Sequence, residues 1–288
     1  MSDDHYDGAL ATVSGVEAPL MPDDSVTDTS PAGIAAGTRY VNGTDARGVR
    51  SDPPPAERAP TVALIIPAKN EAANISWVLE QVPSCVDEVV LVDGNSTDAT
   101  LVTARCARPD IRVLVQEGTG KGDALRAGFL ATEADIVVMI DADCSMTPQE
   151  LPHFLHFLSN GYDFVKGSRF MAGGGSHDIT RLRRWGNRAL VSMVNVLFEV
   201  QMTDLCYGFC AFHRRYLPFL DLTSAGFEVE TRLTLSALAA GLRVAEVPSL
   251  EMPRRYGRSN LRTFPDGTRV LLSILRSHRR GIRVAHNS

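Results

Sequence analysis

Residues 61–98 read TVALIIPAKNEAANISWVLEQVPSCVDEVVLVDGNSTD. The run at 62–66 is compact and apolar, as a buried strand is, and 88–92 (EVVLV) is a second such run. Between them, 72–82 spaces its apolar residues at helical intervals. Strand, helix and strand in that order are the unit of a parallel sheet, because two parallel neighbours need a crossover between them. The pattern continues outward: 99–107 is helical in composition, 112–115 a third strand, 121–131 a helix, and 134–140 (ADIVVMI) a fourth strand apolar enough for the sheet centre. The expected fold is therefore α/β, a mostly parallel central sheet flanked by helices, in one domain over residues 61–277.

The remaining sequence is bounded by composition. Of 288 residues, 44% are hydrophobic and 22% charged, and the net charge is -5. That excludes a collagen-like or wholly disordered chain, and its overall field does not favour nucleic acid. Residues 1–60 hold 10 acids, 4 arginines, no lysine and seven of the sixteen prolines, so the net negative charge of the chain lies there. Without helical or alternating periodicity, that segment is expected to be a disordered acidic tail. Residues 278–288 are expected to be a basic C-terminal tail. Five cysteines without a CxxC pair and an N-terminus without a basic, apolar leader predict a reducing, cytoplasmic setting. No apolar stretch reaches the roughly 18–20 residues needed to cross a bilayer.

Ligands of open α/β sheets bind at the carboxyl ends of the strands. Here those ends are polar: Pro67-Ala68-Lys69-Asn70-Glu71 after the first strand, Asp93-Gly94-Asn95-Ser96-Thr97-Asp98 after the second, and Asp141-Ala142-Asp143 after the fourth. A single acidic turn is also what a helix N-cap looks like, but three at successive strand ends weaken that reading. Glu117-Gly118-Thr119-Gly120-Lys121-Gly122 matches neither GxxxxGK[ST] nor GxGxxG. It is a glycine-rich turn at a helix start, with Lys121 available to a phosphate or base. Asp141 and Asp143, two apart in an extended segment, would point the same way and repel unless a cation stood beside them. Mg²⁺ or Mn²⁺, completed by water and substrate phosphates, is the natural occupant.

In order and spacing these turns, together with Gly167-Ser168-Arg169, Thr203–Phe212, Gly226–Glu230 and Arg254–Leu261, resemble the family 2 glycosyltransferases of GT-A fold. The resemblance is nearest to the polyprenyl (dolichyl) phosphate mannosyl- and glucosyltransferase branch and spans about residues 61–277. It implies inverting transfer of a hexose from a nucleoside diphosphate sugar, UDP-glucose or GDP-mannose, with Mg²⁺ or Mn²⁺. By the same resemblance, Pro67, Ala68, Glu71 and Asp93 would hold the nucleoside, and Asp141 and Asp143 the ribose, metal and diphosphate. Lys121 would line the nucleotide side, Arg169 would face the diphosphate or acceptor phosphate, and Arg254 would close over the pyrophosphate. Two departures stand out: Asp93-Gly94-Asn95-Ser96 replaces the frequent Asp-Asp-Gly-Ser, and Cys144-Ser145 stands where relatives place a further Gln or His.

The expected acceptor is a polyprenyl phosphate, with a soluble or glycan hydroxyl as the alternative and a non-catalytic nucleotide-sugar-binding module as a third reading. A hydroxyl must lose a proton as it attacks, whereas a phosphate is already anionic, so Glu228 and Glu230 are base candidates only for the former. Acids at that position equally suit a solvated first helical turn. Residues 173–185, rich in Gly and Arg, read as a mobile acceptor loop or a plain surface loop. The segment 268–275, apolar on one face and followed by arginines, fits either the membrane surface or a helix packed on the core.

Overall fold

The computed structural model describes residues 58–257 and 263–285, apart from the side chains of residues 263, 264 and 279–285. The tail expected over 1–60 lies, up to residue 57, outside the described residues.

The elements follow as β1 (Val62–Ala68), α1 (Ile75–Glu80), β2 (Glu88–Asp93), α2 (Thr100–Ala107), β3 (Arg112–Val115), α3 (Lys121–Ala131) and β4 (Ile136–Met139). After them come α4 (Leu151–Ser159), β5 (Phe164–Ser168), β6 (Gly175–Ser176), α5 (Arg181–Phe198), β7 (Cys210–His213), α6 (Val229–Ala239), β8 (Val244–Pro248), β9 (Leu250–Glu251) and α7 (Thr263–Ala285). Seven strands form one sheet in the order β3-β2-β1-β4-β7-β5-β8. Every pairing is parallel except those of β7, which runs antiparallel to both β4 and β5. The short pair β6 and β9 forms a second sheet.

Alternation along β1 divides the core into two layers. Leu64 and Ile66 pack with Ile75 and Val78 of α1, Ala104 of α2 and Phe154 of α4. Ala63 and Ile65 face the other way, onto Leu125 and Phe129 of α3 and Leu233 of α6. These strand residues are wholly buried, and each such side chain contributes on the order of 1.5–3 kcal/mol by leaving water. A third cluster joins Val191 and Val194 of α5, Leu235 of α6, and Val270 and Ile274 of α7.

Register aligns the strand ends. Ala68 pairs with Asp93, and Asp93 with Val115, so β1, β2 and β3 deliver their following turns to one edge of the sheet.

Two expectations are corrected here. The Arg-rich stretch is not a loop: Thr180 Oγ1 accepts from Arg183 N at 3.2 Å, capping α5, and the helix runs from Arg181. Its apolar stripe is held by the α6/α7 cluster. Residue 277 is not a boundary either, since α7 continues unbroken to Ala285.

Candidate active site

A cleft of about 800 Å³ opens at the carboxyl edge of the sheet, lined at one end by Pro67, Ala68, Glu71, Lys121, Asp141, Asp143 and Arg254. The first two turns are stitched to each other. Asn70 N donates to Ser96 Oγ at 2.9 Å, Asn70 Oδ1 accepts from Thr97 N at 2.8 Å, and Ala72 N donates to Asp98 Oδ2 at 3.1 Å. Asn70 and Asn95 hold φ of 58° and 60°, a region that Asn tolerates better than most residues. Asp93 is buried behind Gly94 and Asn95, which do line the cleft; its Oδ2 accepts from Ser96 N at 3.0 Å and its buried Oδ1 has no partner.

The glycine turn opens α3 at Lys121, as expected, and its glycines serve the packing of that helix. Gly120 has φ +90°, and Gly122 N donates to Ala225 O at 3.0 Å. A Cβ on Gly122 would lie 1.8 Å from Ser224 O. These glycines therefore let α3 start flush against the backbone of residues 224–225, and they leave Lys121 as the turn's chemical contribution.

Lys121 Nζ reaches both Asp141 Oδ1 and Glu230 Oε1. Burial opposes its charge, but the two carboxylates outweigh that and raise its pKa, so it stays an ammonium. Arg254 makes a matching bridge, with Nη1 on Glu71 Oε1 at 2.9 Å and Nη2 on Asp143 Oδ2 at 2.7 Å. The loop bearing it is tied to α1, for Asn74 Nδ2 donates to Tyr256 O at 3.2 Å and the Arg255 guanidinium lies 5.2 Å from the Trp77 ring centre. Four carboxylates thus share two chain cations.

Asp141 and Asp143 come together in the cleft, though not along a strand. β4 ends at Met139, and the carboxylates sit in the turn after it, where Cys144 takes φ 66°. Burial pushes the Asp141 carboxyl up to about 6, against the downward pull of Lys121. Asp143 Oδ1 accepts from Ser145 N at 3.0 Å. Burial also pushes the Cys144 thiol up to about 11, and its Sγ donates to Asn74 O at 3.4 Å. Among the described residues no cluster of three or more His, Cys, Asp or Glu could hold a metal. Two carboxylates without a third protein ligand fit Mg²⁺ or Mn²⁺, which fill their remaining positions with water and phosphate oxygens.

Other expected residues are placed less simply. Arg169 borders the cleft, but its guanidinium is not free for a phosphate. It forks onto Asp204, with Nε–Oδ2 at 2.7 Å and Nη2–Oδ1 at 3.0 Å, and Nη1 donates to Glu251 at 3.0 Å. Asp204 is fully buried, and these partners outweigh burial and raise the arginine's pKa. Arg169 thereby positions the residues around the 203–206 turn. Glu230 is buried and bound to Lys121 rather than solvated. Glu228 is absent from the cleft lining and borders a second cavity.

The sequence reading missed the opposite end of the cleft, formed by Ile179, Leu182 and Leu190 beside Val270 and Leu271, and by exposed Asp178. The helical spacing of 182 and 190, eight residues apart, was the available signal. Only the tertiary packing of α5 on α7 shows that both helices wall one cleft.

Comparison with known proteins agrees with this geometry. Residues 63–219 match the family described as Glycosyl transferase family 2. The dolichyl-phosphate hexose transferase of Haloferax volcanii is 32% identical over 219 residues, covering 75% of this chain and 92% of that protein. The polyprenol monophosphomannose synthase of Mycolicibacterium smegmatis is 32% identical over 241 residues, covering 77% and 88%. Among solved structures, glucosyl-3-phosphoglycerate synthase from Mycobacterium tuberculosis, in complex with Mn²⁺, UDP-glucose and phosphoglyceric acid, superposes with a TM-score of 0.62 at 26% identity. That match covers 76% of this chain and 80% of that one.

Proposed function

The chain belongs to glycosyl transferase family 2, and from that premise we propose that it transfers a hexose, with inversion, from a UDP-glucose or GDP-mannose type donor to a polyprenyl phosphate. The observation that carries this reading is the two-ended cleft: paired carboxylates and two cations at one end, apolar side chains of α5 and α7 at the other. The first end suits a diphosphate, the second an isoprenoid chain. The named substrates of the relatives, dolichyl phosphate and polyprenol, support the same acceptor class.

Asp141 and Asp143 would hold Mg²⁺ or Mn²⁺, which when bound supplies positive charge against the diphosphate leaving group. The chain's own groups do the rest. Lys121 and Arg254 are preorganised cations beside the same position, each fixed by two carboxylates, and such fixed charge stabilises a developing anion at low reorganisation cost. Glu230 anchors Lys121. Pro67, Ala68 and Glu71 border the nucleoside end, with Asp93 behind its wall. A phosphate acceptor arrives anionic and needs no base. A hydroxyl acceptor would need one, and Asp178, exposed at the cleft rim, is the observation that keeps that second reading open.

Among the described residues no helix is long and apolar enough to cross a membrane. Leu182 and Trp185 on α5, and Leu272 and Leu275 on α7, are exposed apolar side chains that support peripheral contact with the inner membrane face. The test is a donor-by-acceptor matrix read by mass spectrometry: UDP-glucose, UDP-N-acetylglucosamine, UDP-galactose and GDP-mannose against a polyprenyl phosphate and soluble hydroxyl acceptors. A hexosyl polyprenyl phosphate is expected. Product only on hydroxyl acceptors would replace this reading with the second.

A further inference from the structure

Both carboxylates assigned to the divalent ion already face a cation of the chain. Lys121 Nζ is on Asp141 Oδ1, and Arg254 Nη2 is on Asp143 Oδ2 at 2.7 Å, while Asp143 Oδ1 accepts from Ser145 N at 3.0 Å. Both oxygens of Asp143 are thus engaged. A guanidinium bonded to that carboxylate and a divalent ion ligated by it would be like charges at close range, which repel strongly. Entry of the ion therefore requires a cation of the chain to give way.

The surroundings of the two cations say which one. The Lys121 side chain is 10% exposed, opens α3 where that helix starts flush against residues 224–225, and has its second carboxylate, Glu230, on α6. It is fixed between two helices. The Arg254 side chain is 21% exposed and stands on the connection between β9 and α7, outside both elements. Its other arm, Nη1, is on Glu71 Oε1 at 2.9 Å. Glu71 is itself held firmly, for its Oε2 accepts from Asn74 Nδ2 at 2.6 Å and its N–H donates to Thr100 Oγ1 at 2.9 Å. One arm of Arg254 thus rests on a fixed post and the other on the carboxylate that the ion needs.

We infer that Arg254 is an exchangeable counter-cation of Asp143 and that Glu71 is the positioning residue that retains it. Arg254 pairs with Asp143 while the site is empty, leaves it as a divalent ion binds and, still held by Glu71, turns Nη2 to the diphosphate. The inference rests on the metal and donor reading above and adds a coupling to it. Arg254 opposes the ion alone but favours the ion together with nucleotide, so each ligand raises the other's affinity by the same factor. The exchange belongs to binding and precedes the transfer step.

The test follows Mn²⁺ affinity of the full-length protein by electron paramagnetic resonance, alone and with UDP or GDP. Arg254→Gln should bind Mn²⁺ alone about tenfold more tightly than wild type, since one charge-assisted contact no longer occupies Asp143. Nucleotide should raise Mn²⁺ affinity in wild type and do so severalfold less in Arg254→Gln. Glu71→Gln keeps Arg254 on Asp143 but removes its tether, so Mn²⁺ alone should bind no more tightly than in wild type, and the nucleotide effect should shrink. Arg255→Gln removes the same charge one residue along, from an exposed side chain that lies against Trp77, and should leave Mn²⁺ affinity within about twofold. Circular dichroism checks each fold, and Arg254→Met replaces Arg254→Gln if the latter does not fold. A purely structural role for Arg254 would weaken Mn²⁺ binding rather than tighten it. The exchange is overturned if Arg254→Gln binds Mn²⁺ alone no more tightly than wild type, or if Arg255→Gln gains as much, which would reduce the effect to net charge. A full nucleotide effect in Glu71→Gln would overturn the tether. Mn²⁺ binding to none of these proteins, with or without nucleotide, would remove the metal reading as well, whereas equal binding to wild type and Arg254→Gln would leave that reading standing without the exchange.

Discussion

Replacing Arg169 by Gln should destabilise the fold before it touches chemistry. The side chain is buried, and its fork meets Asp204, which has no exposure, while its third arm meets Glu251. Gln cannot reproduce the fork, so Asp204 would be left as a buried charge without its partner. Breaking such a pair costs about 3–5 kcal/mol, and in a folded unit of this size each kcal/mol lowers Tm by about 2–4 °C. Scanning calorimetry should therefore show Tm falling by about 6–20 °C. Arg169→Lys, which keeps the charge but not the planar fork, should fall between. A Tm within about 1 °C of wild type, together with collapsed donor affinity, would refute the scaffold role and return Arg169 to a ligand phosphate.

Gly122→Ala should lose about 1–3 kcal/mol by denaturant titration, because its Cβ would strike Ser224 O, which is backbone; wild-type stability would show that residues 224–225 yield. Glu228→Gln should leave kcat unchanged, and Glu230→Gln should lower it less than about tenfold, whereas removing the base for a hydroxyl acceptor would cost on the order of 10²–10⁴-fold. Mn²⁺ affinity, followed by electron paramagnetic resonance, should fall roughly tenfold per pH unit below about 6, as Asp141 takes up its proton. For stability the sign reverses. The folded chain holds this proton more tightly than the unfolded chain, whose carboxyl titrates near about 3.9, so Asp141's contribution is full at low pH and is lost as pH rises through about 6. A pH-independent Mn²⁺ affinity between pH 5 and 7 would contradict the assignment of Asp141.

The first four strands were readable because each is a continuous apolar run between turns, and α3 begins and ends where composition placed it, at 121 and 131. β7 was harder. Its reversal between β4 and β5 is set by long-range pairing, such as Val138 with Ala211, which no local period encodes. The same limit applies to the site. The turn residues were visible because strand ends converge by topology, but their partners were not: Lys121 meets Glu230 and Arg254 meets Glu71 across more than a hundred residues. Glu228 and Glu230 looked equivalent as neighbouring acids, yet Glu228 precedes the helix and Glu230 lies in its first turn, and the two reach different cavities. The loop expected at 173–185 ended early because a single capping threonine, Thr180, starts a helix whose core contacts lie on α6 and α7.

The central claim is that the turn Asp141-Ala142-Asp143 seats a divalent ion and, with Lys121 and Arg254, the diphosphate of the donor. Calorimetric titration of UDP and of GDP, each with Mn²⁺ and with chelator, into wild-type protein and Asp143→Asn tests it most directly. The account predicts that one nucleotide binds with Mn²⁺, that chelator abolishes the binding, and that Asp143→Asn loses it with the fold intact by calorimetry. Equal nucleotide affinity in Mn²⁺ and in chelator, unchanged in Asp143→Asn, would contradict it.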